Sequence, residues 1–307
     1  MSALAQKLAA ALASREDRGI RRRLPSPSLS LPPPTPAISS DASTSSSSTA
    51  SAAAAAAAAT TASAKPTSPR AAPAPADFSS NDYLSLSTSP LLRARVLAAL
   101  HSSPSILGSG GSRLLVYNHA HASLEARLAY TFHAPAALLF NSGFDANAAF
   151  FACVPQPGDA LLYDAEIHAS VHDGARASRI APRRRRPFAH NDVRALRAAL
   201  RVLRDESPPL ARGESSVFVA VESVYSMDGT IAPLRAMLDA MDEVFPARNA
   251  HLVVDEAHAT GIYGPGGRGM VALLGLEGRV LARLHTFGKA LAASGGALPF
   301  RLLGIMC

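Results

Sequence analysis

The feature that constrains this chain most is a repeated alternation of short apolar runs with helical patterns from residue 136 onward. The runs AALLF, GDALLYD and SVFVAVES each have the length of a buried strand, and a small-residue turn or a helical segment follows each of them. This alternation predicts an α/β fold, a mostly parallel sheet with helices on both faces and right-handed crossovers. The carboxyl ends of its strands should form the ligand-binding edge.

Further elements are predicted around this alternation. FSSNDYLSL, residues 78–86, predicts a short strand that enters a turn. SPLLRARVLAALH, residues 89–101, has helical periodicity, and so do residues 120–132, where Glu125 is expected on the outer face. Residues 280–284 predict another short apolar strand.

The amino-terminal quarter differs in composition from the rest. Residues 1–23 predict an amphipathic helix with leucines on one face, and Glu16 and Asp17 argue against a mitochondrial transit peptide. Residues 24–76 consist mainly of Pro, Ser, Thr and Ala, with too few large apolar side chains to offset the entropy of ordering. We predict that this insert is disordered and that the globular domain spans residues 77–307.

The charge and the cysteines limit the partners of the chain. Its net charge of +7 comes largely from the arginine clusters at 21–23 and 183–186, which are short and lack interleaved aromatic residues. They favour a solvated surface or an anionic-substrate site over nucleic-acid binding. Cys153 and Cys307 have no metal-binding or disulfide spacing, and no apolar run has the length of a membrane span. We expect no metal, nucleic acid or membrane as a partner.

Two strand ends carry groups of chemical interest. Residues 252–254 predict a buried strand that ends in Asp255, and the strand at 280–284 leads to Lys289. The only other lysines are Lys7 and Lys65, so an otherwise arginine-based composition keeps a primary amine here. A lysine can form a Schiff base, whereas an arginine cannot. A carboxylate and an amine are the two groups that pyridoxal phosphate needs, although two residues alone equally fit a buried acid and a surface lysine.

A possible phosphate site precedes these strand ends. Residues 141–144, Asn-Ser-Gly-Phe, follow the strand AALLF and open a helix, whose free backbone N–H groups can bind a phosphate. Further polar residues predicted at the same edge are His168, Glu222, Ser226 and His258. LVVDEAH also matches a DEAH-box helicase, but that reading needs an upstream GxxxxGK[ST] loop, which the sequence lacks.

These segments resemble the α-oxoamine synthases, which are fold-type I pyridoxal-phosphate enzymes, and within them the 8-amino-7-oxononanoate synthases of biotin biosynthesis. The matching text runs in family order from residue 77 to residue 296. It consists of FSSNDYLSLS, GSGGSR, LLFNSGFDANAA, HAS, FAHND, ESVYSMDG, VVDEAHATGIYG and TFGKALAASGG.

The resemblance implies a role for each matched residue. Lys289 would hold pyridoxal 5'-phosphate as an imine, Asp255 would pair with the ring nitrogen, and His258 would bind the phenolic oxygen. His168 would stack on the ring and face the substrate. The cofactor phosphate would be bound by Gly143 and Phe144 with the Thr286 hydroxyl. Two further contacts are implied, from Ser226 to the cofactor and from Arg21 to the acyl substrate.

The resemblance also implies the reaction and its partners. L-alanine would condense with pimeloyl-CoA or a pimeloyl-carrier thioester, with loss of carbon dioxide, to give 8-amino-7-oxononanoate. The alternatives are another α-oxoamine synthase, such as one that uses glycine and acetyl-CoA, or a non-catalytic fragment. The family pattern stops at Gly296, so that residues 297–307 appear off-pattern and the small carboxy-terminal domain of the family is missing. We expect a homodimer in the cytoplasm or, alternatively, the peroxisome.

Overall fold

The computed structural model describes only part of the chain, and the chain divides into two units, Met1–Ala71 and Ala72–Cys307. In the first unit, residues 13–14 and 16–17 are helical. Arg21 and the insert at 24–76 lie outside the described residues. The fold below is that of the second unit. The described ranges are 13–14, 16–19, 77–104, 106–108, 110–111 and 118–301.

Helices and strands alternate along the second unit, as predicted. The α-helices are α1 Pro90–Ser102, α2 His119–Thr131, α3 Gly143–Cys153, α4 Ala169–Ala177, α5 Val193–Glu206, α6 Pro208–Ala211, α7 Leu234–Val244 and α8 Met270–Leu273. The strands are β1 Ala136–Phe140, β2 Ala160–Asp164, β3 Arg185–Phe188, β4 Val217–Glu222, β5 Ala250–Asp255, β6 Ala282–Thr286 and β7 Gly296–Phe300. No helix in the described part of the chain is long and apolar enough to cross a membrane.

The strands form one sheet in the order β1-β7-β6-β5-β4-β2-β3. Five neighbouring strands run parallel to one another, namely β6, β5, β4, β2 and β3. This confirms the predicted mostly parallel α/β architecture. Strand β7 is antiparallel to both β1 and β6. The carboxyl ends of β2, β4, β5 and β6 therefore meet at one edge.

Helices cover both faces of the sheet. Successive side chains of a strand point to opposite faces, so each central strand contributes to two core clusters. On one face Val219 and Leu252 belong to a core cluster with Leu200 of α5 and Met237 of α7. On the other face Phe218 and Val253 pack in a second cluster with side chains of α3 and α4. The continuous apolar runs of β4 and β5 follow from this two-sided burial.

The residues directly after Gly296, which the sequence places off the family pattern, form the buried strand β7. Residues 297–300 are all buried, and Leu298 pairs with Leu138 of β1. A proline inside a strand argues against that assignment in sequence, and Pro299 breaks the apolar run here. The strand predicted at 280–284 lies two residues later, at Ala282–Thr286. It contains two buried polar residues, Arg283 and His285, which a search for apolar runs does not assign to a buried strand.

The segment FSSNDYLSL is not the predicted strand. It forms turns and a short 3-10 helix, Leu86–Thr88. A carboxylate oxygen of Asp77 accepts from the backbone N–H of Ser79 at 2.8 Å, and Asp82 accepts from that of Leu86 at 2.9 Å. Because such side chains bind nearby N–H groups, they stabilise turns in place of a sheet ladder.

Glu125 of α2 is buried rather than on the outer face. Its Oε1 accepts from the backbone N–H of Leu139 at 2.7 Å. Leu139 lies on β1, which is an edge strand of the sheet, and among the described residues no strand pairs with its outward N–H groups. The carboxylate of α2 thus binds one of these N–H groups, a contact that helical periodicity does not reveal.

Candidate active site

A cavity of about 160 Å³ lies at the edge where the parallel strands end. It is lined by the ends of β4 and β5, the loop after β6 and the starts of α3 and α4. Eight residues singled out in the sequence meet there, namely Gly143, Phe144, His168, Glu222, Asp255, His258, Thr286 and Lys289. Most of the residues predicted at the strand ends therefore lie together around one cavity.

Asp255 ends β5 at the base of this cavity with 6% of its surface exposed. Its Oδ1 accepts from the backbone N–H of Ala257 at 2.9 Å, and its Oδ2 accepts from Nδ2 of Asn147 at 2.7 Å. Burial raises the pKa of the Asp255 carboxyl, and these two hydrogen bonds oppose the shift because they favour the charged form.

Asn147 is a site residue that the sequence reasoning missed. It is 2% exposed, and its Nδ2 also lies 3.0 Å from Oγ of Ser170. It stands four positions after Gly143 on α3, so both residues face the cavity from the same side of the helix. That spacing within SGFDANAA is the signal in the sequence.

Lys289 lies in the loop between β6 and β7, with its Nζ 2.7 Å from Nε2 of His258. Burial lowers the pKa of the Lys289 amine, while the carboxyl groups of Asp255 and Glu222 oppose this. Burial also lowers the pKa of His258 to about 4, and the charge of Lys289 adds to that effect. The imidazole is therefore neutral near pH 7 and can accept a hydrogen bond from the amine.

Glu222 ends β4 directly beside Asp255, with which it is in register. Its side chain is almost fully buried. Burial raises its pKa to about 8, and the neighbouring charge of Asp255 acts in the same direction. Near neutral pH the Glu222 carboxyl therefore carries a proton.

The amino terminus of α3 forms another wall of the cavity. Oγ of Ser142 accepts from the N–H of Asp145 at 3.0 Å and caps the helix. A Cβ atom placed on Gly143 would lie 3.1 Å from Cβ of Thr286, and one on Gly296 would lie 2.8 Å from the Gly143 nitrogen. This close approach leaves a narrow cradle beside helix N–H groups, where an anion is stabilised.

His168 caps the amino terminus of α4 and lines the cavity beside Phe144. Its Nδ1 lies 2.8 Å from Oγ of Ser170, and the rings of His168 and Phe144 meet edge to face with centroids 6.0 Å apart. Ser170 thereby joins His168 to Asn147 and, through it, to Asp255.

Ser226 is not brought to the cavity with the others. It is exposed and does not line the cavity. A tight turn follows Tyr225, whose N–H donates to the carbonyl of Thr230 at 2.9 Å, and Ser226 lies within this turn. Although Ser226 lies only four residues after Glu222, it does not line the cavity as Glu222 does.

The donor set fits pyridoxal phosphate. A desolvated amine, a buried carboxylate and the amino end of a helix surround one cavity, and they match the aldehyde, the ring nitrogen and the phosphate of that group. Gly143, Thr286 and Gly296 approach one another so closely beside the amino end of α3 that a side chain at either glycine would not fit there.

The sequence profile of the aminotransferase class I and II family matches residues 75–299. The chain belongs to this family. The match includes most of β7, so that the family pattern extends beyond Gly296.

Curated relatives and a solved structure narrow the comparison. The chain is 52% identical over 222 residues to 8-amino-7-oxononanoate synthase of Emericella nidulans, covering 71% of this chain and 53% of that one. It is 45% identical over 224 residues to aminoacyl transferase sphA of Aspergillus fumigatus, covering 72% and 47%. Serine palmitoyltransferase of S. paucimobilis, solved with a bound PLP–myriocin aldimine, superposes with a TM-score of 0.63 at 30% identity, covering 74% and 53%.

These comparisons confirm the resemblance to the α-oxoamine synthases and the assignment of pyridoxal phosphate as the cofactor of the family. The chain spans about half the length of the relatives that it matches.

Proposed function

We propose that the protein is a pyridoxal-phosphate-dependent acyltransferase of the α-oxoamine synthase type. The observation that carries the proposal is the convergence of the Lys289 amine and the buried Asp255 carboxylate on one cavity. In the overall reaction a bond forms between Cα of an amino acid and the acyl carbon of a thioester. The amino acid loses its carboxylate as carbon dioxide, and the thiol leaves. When bound, pyridoxal phosphate supplies an aldehyde that captures amines and a ring that takes up the electrons of a carbanion.

Lys289 is the proposed base. Burial lowers the pKa of its amine, so that a larger fraction is uncharged near neutral pH and Nζ can take a proton from Cα of the amino acid. His258, 2.7 Å away, orients Nζ without adding a positive charge.

Asp255 would hold the positively charged ring nitrogen, because Asn147 and the N–H of Ala257 favour its ionised form. The protonated Glu222 carboxyl beside it adds no second negative charge that would compete for the same cation. His168 closes one side of the cavity and is placed to face the substrate, while the amino end of α3 would bind the phosphate.

For the substrates we propose L-alanine and a pimeloyl thioester. The 52% identity to the Emericella nidulans 8-amino-7-oxononanoate synthase supports this choice. The second candidate is an aminoacyl transferase with another amino acid and a longer acyl chain. It is favoured by the 45% identity to sphA and by the likeness to serine palmitoyltransferase.

The first experiment tests the site. The 307-residue protein is mixed with pyridoxal phosphate, reduced with borohydride and mapped by mass spectrometry, beside Lys289→Ala and the charge-conserving control Lys289→Arg. We expect a cofactor mass on Lys289 in the parent and on neither variant. Labelling of Lys7 or Lys65 instead would contradict the assignment of the amine.

The second experiment tests the reaction. Free thiol release is followed with L-alanine and pimeloyl-CoA, and in parallel with L-serine and palmitoyl-CoA. Turnover that requires alanine and pimeloyl-CoA supports the first candidate, and preference for the second pair supports the other. Cofactor capture without turnover on either pair would identify a binding fragment and overturn the proposed activity of this chain. Sedimentation of the same sample tests the proposed homodimer.

A further inference from the structure

Tyr83 reaches the candidate active site from a segment far away in sequence. Its hydroxyl lies 2.8 Å from Nδ1 of His258, and the two ring centroids are 6.2 Å apart. The same hydroxyl lies 3.0 Å from Oδ1 of Asn81. His258 is thus held from both sides, by Tyr83 at Nδ1 and by Lys289 at Nε2.

The position of Tyr83 is fixed by the turns around it. Before it, Asp77 accepts from the backbone N–H groups of Ser79 and Ser80. After it, Asp82 accepts from those of Leu86 and Ser87. Two carboxylates therefore shape the segment FSSNDYLSL, whose form as turns delivers the phenol to His258.

The protons of this chain of contacts can be assigned in only one way when Lys289 is charged. An ammonium group has donors and no acceptor, so Nε2 of His258 must accept. A neutral imidazole then carries its proton on Nδ1, which donates to the Tyr83 oxygen. The Tyr83 hydroxyl remains free to donate to Oδ1 of Asn81, so that each of the three contacts has one donor and one acceptor.

We propose that Tyr83 is a positioning residue, which holds the His258 imidazole in one orientation and selects its Nδ1-protonated tautomer opposite Lys289. Tyr83 accepts from Nδ1–H as long as Asn81 accepts its own hydroxyl proton. The tautomer follows from the contacts alone. Its consequence for Lys289 rests on the proposed function.

That consequence is a more basic Nε2. A hydrogen bond from Nδ1–H to Tyr83 increases electron density on the ring and strengthens the contact from the Lys289 ammonium to Nε2. The other charged or titratable groups that face these two side chains are Asp255, Glu222 and His168. Loss of the Tyr83 hydroxyl should weaken the ammonium form, and the pKa of Lys289 should fall further.

The direct test observes the tautomer in the cofactor-free 307-residue protein with ¹⁵N-labelled histidine. Two-bond nitrogen–proton correlation spectra are recorded near pH 7, and His258→Gln identifies the signals of His258. We expect the Nδ1–H form in the parent. In Tyr83→Phe a larger fraction of Lys289 should be uncharged and able to accept from Nε2–H, so we expect a mixture of both tautomers. The control Tyr130→Phe, on a side chain that is 85% exposed, should match the parent. An Nε2–H form in the parent, or an unchanged tautomer in Tyr83→Phe, overturns the proposal.

A second variant covers the case in which Tyr83→Phe does not fold, as judged by circular dichroism. Asn81→Ala keeps the phenol but removes the acceptor of its proton, so Tyr83 can donate to Nδ1 and the spectrum should shift toward the Nε2–H form. An unchanged spectrum in this variant would also contradict the proposal.

The test of the consequence uses the pH dependence of cofactor capture, trapped by borohydride. The midpoint for Lys289 should lie about 0.5 to 1 pH unit lower in Tyr83→Phe than in the parent, the size expected for the loss of one hydrogen bond. If Tyr83 had only a structural role, Tyr83→Phe would capture less cofactor, but the pH midpoint of capture would be the same as in the parent. If no chain captures the cofactor but the tautomer shifts as expected, the proposed function fails and the role of Tyr83 stands.

Discussion

Glu222 and Asp255 lie side by side in register at the ends of two neighbouring parallel strands, and both side chains are almost fully buried. Two adjacent acids without full solvation cannot both ionise cheaply. The structure divides the roles between them. Burial raises the pKa of both carboxyls, that of Glu222 to about 8, but Asp255 also receives hydrogen bonds from Asn147 and from the N–H of Ala257, which favour its charged form.

The raised pKa of Glu222 predicts a pH-dependent stability. The Glu222 carboxyl ionises above about pH 4.5 in the unfolded chain, but in the fold it ionises only near pH 8. The free energy of unfolding should therefore fall as pH rises through this window. Glu222→Gln, which mimics the protonated acid, should match the parent at pH 5 and be more stable by a few kcal/mol at pH 9.

Thermal and urea unfolding at both pH values would check this difference. Glu206→Gln, at an exposed side chain, is the matched control and should change stability little at either pH. A Glu222→Gln variant that is no more stable than the parent at pH 9 would show that the acid is already ionised in the fold.

Asn147 should control the affinity for the cofactor. Asn147→Leu keeps the branched shape and the number of heavy atoms, removes the hydrogen bond to Asp255 and leaves the carboxylate less able to stay ionised. A hydrogen bond to a charged group contributes about 1.5–3 kcal/mol, so the Kd for pyridoxal phosphate should rise roughly 10- to 100-fold. Equilibrium dialysis measures it. Ser170→Ala, which leaves the contact between Asn147 and Asp255 intact, should have a smaller effect.

Gly269 should tolerate no side chain. It has a φ of 95°, and a Cβ there would lie 2.6 Å from the carboxylate of Glu256. That buried carboxylate accepts from the N–H groups of Met270 and Val271 and caps α8. Gly269→Ala should lower the free energy of unfolding by about 2–4 kcal/mol. Gly278→Ala, where a Cβ meets nothing within 4 Å, should be close to neutral in the same urea titration.

Leu298 tests the contribution of β7 to the core. It is 2% exposed and packs in the cluster that contains Phe218 and Val253. Leu298→Ala should lower the free energy of unfolding by about 2–5 kcal/mol. Leu273→Ala, at a side chain that is 52% exposed, should change it far less. Equal effects of the two substitutions would mean that β7 is not part of the folded core.

The features that could be predicted from the sequence are the strands, from their apolar runs, and the site residues at the strand ends. Asp255 and Lys289 follow recognisable strands, so the edge where they meet could be placed before the structure was known. Asn147 was missed because an amide inside an apolar helix has no period of its own. Only its spacing of four residues from Gly143 marks it, and its partner Asp255 lies far away in sequence, on β5. Strand β7 was missed for a local reason, the proline at 299, and its place in the sheet depends on long-range pairing that no sequence window contains.

Turn chemistry accounts for another difference. The hydrophobic residues of FSSNDYLSL suggest a strand, but Asp77 and Asp82 bind the N–H groups that a ladder would need. Side-chain capping overrides the weak strand preference of so short a run.

The location of β7 has a consequence for the order in which the chain can fold during synthesis. Strand β1 leaves the ribosome well before β7, yet within the described part of the chain β7 is the strand that pairs with it, and β7 also pairs with β6. From β1 to β7 the nascent chain therefore carries an unpaired strand with apolar side chains, the kind of surface that chaperones bind and that aggregates at high concentration. Translation speed and chaperone supply over that interval should influence the yield of folded protein more than changes in the region before β1.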